Sequence, residues 1–153
     1  MNTFKKSWAM LASLFCVISQ ANAMSVIDLR GIEFQAGMPT PASTLEDSVP
    51  APATKSLEIL QEAADTLRSY PNLTISIVGF TDNRECVGAA ACTELSLRRA
   101  RMVYEWLIIN GVLSSQITSI QGLGDEPVDT NDGEGGRQRN RHVELRNTQF
   151  DRM

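Results

Sequence analysis

Leu73-Thr74-Ile75-Ser76-Ile77-Val78-Gly79-Phe80-Thr81-Asp82 reads as a strand that ends in a turn, and Leu95-Ser96-Leu97-Arg98-Arg99-Ala100 reads as the opening of a helix. In the first stretch Leu73, Ile75 and Ile77 fall on one face and Thr74, Ser76 and Val78 on the other, the period of a strand. The strand delivers a carboxylate, Asp82, to one rim of a sheet, and the helix that follows begins with a cluster of arginines. A fixed anion and a fixed cation at one cleft suit a small zwitterion better than a reaction.

Outward from this pair, the remaining elements follow from pattern and punctuation. Ile32-Glu33-Phe34 alternates as a short first strand. Residues 38–53 carry Pro39, Pro41, Pro50 and Pro52 and are expected to form a loop, a natural place for a partner to dock. Lys55 to Tyr70 is an amphipathic helix with Leu57, Leu60, Ala64 and Leu67 on its apolar stripe, stopped by Pro71. A second helix is expected from about Ser96 to Asn110, with Leu97, Ala100, Tyr104 and Leu107 inward and Asn110-Gly111 closing it. Ile117 to Leu123 is a third strand, residues 124–140 a long Gly- and Asp-rich loop, and Arg141 to Arg146 a last strand with Val143 and Leu145 inward. The order β-α-β-α-β-β gives an α/β two-layer sandwich, helices packed on a mixed sheet.

The chain of 153 residues is large enough for one domain with its own core. Its start reads as an export signal. Lys5 and Lys6 form a basic head, Trp8 to Ser19 an apolar segment, and Ala21-Asn22-Ala23 a small-x-small cleavage site, so residues 1–23 are a leader and 24–153 the domain. Phe15 is too bulky before Cys16 for a lipoprotein signal. Cleavage leaves 12 of the 14 basic residues against 18 acidic ones, a formal charge of about −6. Nucleic acid, whose phosphates need a basic face, is a poor partner for such a chain. The leader implies a periplasmic address, free or associated with the outer membrane.

Cys86 and Cys92 survive cleavage, and an even pair in an exported chain reads as a disulfide. Five residues lie between them, so this is no CxxC redox motif, and no histidine stands near to complete a zinc site. Closing so small a loop stabilises by about 2 kcal/mol in the chain-entropy picture. The acidic loop places Asp129, Asn131, Asp132 and Gly133 at offsets that do not match a calcium-binding hand, and no metal or other cofactor is expected. His142, the single histidine, lies in a predicted strand and cannot be built into a Ser-His-acid set, so catalytic residues are not expected either.

Five ordered motifs carry a family resemblance: Val78-Gly79-Phe80-Thr81-Asp82, Leu95-Ser96-x-x-Arg99-Ala100, Gly111-Val112, Gly122-x-Gly124-x-x-Pro127, and Gly136-Arg137-x-x-Asn140-Arg141-His142-Val143-Glu144. Together they resemble the OmpA C-terminal domain family, whose relatives include the peptidoglycan-associated lipoproteins and the periplasmic part of flagellar stator proteins. The resemblance runs from about Ile32 to Leu145. It implies non-covalent binding of peptidoglycan through the diaminopimelate of its stem peptide. The family's turn aspartate falls on Asp82, to accept from the ligand's ammonium, and its helix arginine on Arg99, to grip a carboxylate two-pronged. Amides at the free helix end near Ser96 are expected to add donors, and Thr81, Asn83, Asn140 and Arg141 stand at the same rim.

The sequence departs from the family pattern at four points. Cys92 replaces an asparagine, Glu85 replaces a glycine, His142 replaces a second arginine, and the gap from Asp82 to Arg99 is longer. Simpler roles stand beside the implied ones. Asp82 can cap its own turn, and Arg99 can pair with Glu85, Glu94 or Asp82. With them stands the alternative of an OmpA-like module that binds another envelope protein and has lost the wall.

Overall fold

The computed structural model describes residue 29 and residues 31–148. The proposed leader, its cleavage site and Cys16 lie outside the described residues. Four strands form one open sheet: β1 (Ile32–Glu33), β2 (Ile75–Gly79), β3 (Ile117–Gly122) and β4 (His142–Asn147), in the spatial order β1-β4-β2-β3. β2 runs parallel to β3 and antiparallel to β4, and β1 runs antiparallel to β4, so the sheet is mixed as expected.

Helix α2 (Thr54–Ser69) buries Leu60, Ala63, Ala64 and Leu67, close to the stripe read from its period. Its core partners include Phe34, Ile75, Ile77, Val103, Leu107 and Leu145. β2, a strand with a neighbour on each side, is buried along its whole length, on the face of Ser76 and Val78 as well as on that of Ile75 and Ile77.

Three expectations need correction. The Pro-rich segment is not all loop, because α1 (Leu45–Ser48) sits inside it. The prolines bracket this turn rather than enter it, and Thr44 and Asp47 close a reciprocal capping box at its start. Leu45 and Val49 join the core, so the segment is packed into the fold. The long loop after Gly124 likewise contains a helix, α4 (Glu134–Asn140), which its two glycines concealed.

The third correction concerns α3, which runs over Ala89–Ile109 and starts well before Ser96. Ala89, Ala90 and Ala91 are strong helix formers, and they nucleate it directly after Gly88. Its buried face is Cys92, Leu95, Ser96, Arg99, Ala100, Val103 and Leu107, while Leu97 and Tyr104 are only half-buried. The inward stripe therefore includes an arginine and a serine, which a hydrophobic-period reading assigns to the wet side.

Two glycines set how closely α3 lies on the sheet. Gly79 and Gly122 are register partners on β2 and β3. A Cβ on Gly79 would stand 2.0 Å from the Ser96 carbonyl oxygen, and one on Gly122 would stand 2.5 Å from Leu97 N. Any side chain at either position pushes the helix off the strands at the level of Ser96. Gly79→Ala is accordingly expected to lower stability by about 1–3 kcal/mol, the usual cost of overpacking, measured as a drop in urea midpoint at unchanged slope.

Candidate functional site

The end of β2, the middle of α3 and the α4–β4 junction meet at one rim, and two buried ion pairs occupy it. Arg99 is wholly buried, and each of its N–H groups has an acceptor. Nε donates to the Met38 carbonyl at 2.8 Å, Nη1 to the Phe80 carbonyl at 2.8 Å, and Nη2 to the Gln35 carbonyl at 3.1 Å. The two remaining donors form a fork on Glu85, Nη1 to Oε1 and Nη2 to Oε2, both at 2.6 Å. The Phe34 ring lies under the guanidinium, 5.3 Å from ring centre to Cζ. Of the three carboxylates that could have paired with Arg99, Glu85 does.

Glu85 is as completely satisfied as its partner. Besides the fork, Oε1 accepts from the Asp82 amide at 3.0 Å and Oε2 from the Gly37 amide at 2.9 Å. Its side chain is 1% exposed although it belongs to a turn whose neighbours Asn83, Arg84 and Val87 face water. The resemblance gave this residue no role, and the signal that could have found it is the replacement of a glycine by a carboxylate beside the expected arginine.

Asp82 does cap its own turn. Its Oδ1 accepts from the amides of Arg84 at 2.6 Å and Glu85 at 2.9 Å, and Oδ2 from Arg141 Nη1 at 2.6 Å. Burial opposes ionisation of Asp82, but the Arg141 guanidinium and the two amides outweigh it, and they hold its carboxyl below the ordinary value. Arg141 also donates to Glu134 at 2.6 Å, to Gln138 at 2.5 Å and to the Phe34 carbonyl at 3.3 Å. Asp82 and Arg99 thus share a rim without pairing with each other.

The other expected site residues have structural partners. The Thr81 amide donates to Gly124 O at 2.8 Å, and its buried hydroxyl lies 3.6 Å from Cys86 Sγ. Ser96 is not at a helix end but two turns inside α3, so the amides near it are not free donors. Its hydroxyl donates to Thr93 O at 2.9 Å and accepts from Gly124 N at 3.0 Å, which pins the β3 exit to the helix. Asn140 is fully buried, accepting from the Val128 and Asp129 amides and donating to Asp129 O and Asn131 Oδ1. It organises the loop before α4. Asn83 alone of the set is exposed, at the turn's tip. His142 stacks on Phe80 with ring centres 4.6 Å apart, a structural placement.

The Cys86–Cys92 disulfide is present. Because α3 begins at Ala89, Cys92 already stands on the helix, and the bond ties the Glu85-bearing turn to it.

The lowered pKa of Asp82 fixes the sign of a pH effect. The ionised carboxylate contributes stability above the ordinary aspartate pKa of about 3.9, and the contribution is lost as pH falls through the lower folded value. Asp82→Asn should be less stable than wild type in urea at pH 7, with the gap constant above about pH 5 and narrowing below about pH 4.

The OmpA family pattern matches residues 52–141 of this chain. Peptidoglycan-binding protein ArfA of Mycobacterium tuberculosis is 37% identical over 89 residues, which are 58% of this chain and 26% of that protein. Outer membrane porin F of Pseudomonas fluorescens is 38% identical over 87 residues, 56% of this chain and 26% of the porin. The chain thus matches about a quarter of the length of these two relatives, and their names are those of a binding protein and a porin rather than of enzymes. Among solved structures, the peptidoglycan-associated lipoprotein of Burkholderia pseudomallei superposes with a TM-score of 0.62 at 27% identity, over 77% of this chain and 89% of that one. The C-terminal domain of Helicobacter pylori MotB has the same fold, with a TM-score of 0.60 at 23% identity over 76% of this chain and 81% of that domain. The family pattern covers more than half of the sequence and the fold is that of these solved structures, so the chain belongs to the OmpA family.

Proposed function

We propose that this domain binds peptidoglycan non-covalently in the periplasm, through the diaminopimelate of the stem peptide, and holds an envelope component to the wall. The observation that carries the reading is the Arg99 fork: a buried guanidinium, fixed by three backbone carbonyls, that presents two parallel N–H groups to one carboxylate. The peptidoglycan-binding relative at 37% identity supports it. In this reading Arg99 takes a ligand carboxylate, and Asp82, with three of about four acceptor positions filled, takes the ammonium through the last. Thr81, Ser96, Asn140 and Arg141 act by holding the rim in place, and Asn83 is the exposed residue best placed to touch the polymer. No chemistry is asked of the site. Charge-assisted contacts of about 1.5–3 kcal/mol each give roughly micromolar-to-millimolar affinity for one stem. Repetition along the polymer supplies the rest.

A second reading, an interaction module for another envelope protein, has one observation in its favour. Both charged groups of the site already have partners within the chain, Glu85 on Arg99 and Arg141 on Asp82.

Co-sedimentation of residues 24–153 with purified peptidoglycan, with free meso-diaminopimelate as competitor, separates the two readings. Pelleting that the competitor abolishes, and that Asp82→Ala and Arg99→Ala remove, is expected. A folded, oxidised protein that stays in the supernatant would leave the interaction module standing. Arg99→Ala strands a buried carboxylate, at a cost of about 3–5 kcal/mol, so Arg99→Lys belongs beside it: the charge stays, the fork goes. The reading also takes residues 1–23 as a leader; N-terminal sequencing of exported protein should begin at Met24, and an intact Met1 would refute the cleavage.

A further inference from the structure

The four donors around the Glu85 carboxylate make a complete receptor for such a group. Two come from the Arg99 fork and two from the backbone amides of Asp82 and Gly37, at 2.6 to 3.0 Å. The receptor is built without Glu85: three backbone carbonyls hold the arginine. The two amides are fixed by the strand end and by the turn after β1. What fills it is a side chain from an otherwise exposed turn. With Arg99 itself wholly buried and Glu85 on top of it, a ligand carboxylate has no route to the fork while Glu85 stays.

We propose that Glu85 is a built-in occupant of the carboxylate receptor formed by Arg99, Asp82 N and Gly37 N, and that the ligand binds by exchanging its own carboxylate for that of Glu85. This rests on the peptidoglycan reading above and adds the residue that sets its affinity and its threshold. The exchange is nearly neutral in charge, since one carboxylate leaves the fork as another arrives. It requires the turn at residues 83–86 to lift. Two groups oppose that movement: Asp82, whose Oδ1 accepts from the Arg84 and Glu85 amides, and the disulfide, which fastens Cys86 to Cys92 on α3. A ligand is therefore bound only where its carboxylate, with the neighbouring ammonium on Asp82, outcompetes a tethered copy of the same group. Isolated carboxylates are rejected, and a carboxylate beside an ammonium is accepted.

The test compares wild type, Glu85→Gln and Glu85→Ala in peptidoglycan co-sedimentation, competed by free meso-diaminopimelate. A second measurement, thermal melting with and without acetate, probes the receptor apart from the wall. Removing an internal competitor that is seated most of the time raises apparent affinity by about tenfold or more. Both variants should therefore pellet at lower peptidoglycan than wild type. Glu85→Ala should melt lower than wild type and be raised by acetate, which fills the vacated receptor, while wild type does not respond. Glu85→Gln keeps the shape and removes the charge, and reports should Glu85→Ala prove unfolded. Wild type that pellets while folded Glu85 variants pellet equally or less would overturn the exchange and leave the wall-binding reading intact. Failure of every folded form to pellet would overturn both. An acetate response equal in wild type and Glu85→Ala would overturn the receptor as drawn.

Discussion

Everything at the rim depends on a charge taken out of water. A guanidinium is costly to bury, and the cost is tolerable only when every donor is met and an opposite charge is close. Arg99 meets that condition by drawing on three separate stretches: the turn after β1, which supplies the Gln35 and Met38 carbonyls, the end of β2 and the turn that carries Glu85. None of these is held by the hydrophobic core alone. The arginine is thus the point at which the loops of one end become part of the folded body.

For that to happen α3 must lie close to the sheet. The glycine pair on β2 and β3 lets the helix backbone touch the strands, and Ser96, directly above, bonds the loop leaving β3. On the other side, α4 and the start of β4 bring Arg141 to Asp82, which locks the turn that holds Glu85. The opposite end of the sheet has its own polar clamp. Gln116, buried, donates from one amide nitrogen to the carbonyls of Leu67, Tyr70 and Leu73, joining the end of α2 to the lead-in of β2. Each end of this small α/β sandwich is thus closed by a buried polar side chain rather than by more apolar surface.

How much of this could be read in advance follows the physics of the signals. The periodicities of α2 and the strands, the turn at Asp82 and the cysteine pair all rest on neighbours in sequence, and they were legible. The start of α3 lies well before Ser96 because the helix begins inside the stretch that the disulfide closes. The run Ala89 to Ala91 is the sign of it in the sequence. Its core face departs from the hydrophobic pattern because Arg99 and Ser96 are buried in it, and any such pattern assigns them to water. Pairing of Arg99 with Glu85 could be named as one option of three. Pairing of Arg141 with Asp82 could not, since the residues stand far apart in sequence and meet only because β4 lies beside β2, an order no local pattern encodes. Gln116 gave no signal at all.

Where this domain begins, in a physical sense, also follows from Arg99. The family pattern takes in residues 52–141, yet β1, the Gln35 and Met38 carbonyls and the Gly37 amide all precede it. A piece cut to the pattern would retain the arginine, both glycines and, of the sheet, only β2 and β3, and would strip two acceptors from the guanidinium and one donor from its carboxylate. The smallest unit that can bury this charge in full is longer than the unit by which the family is recognised.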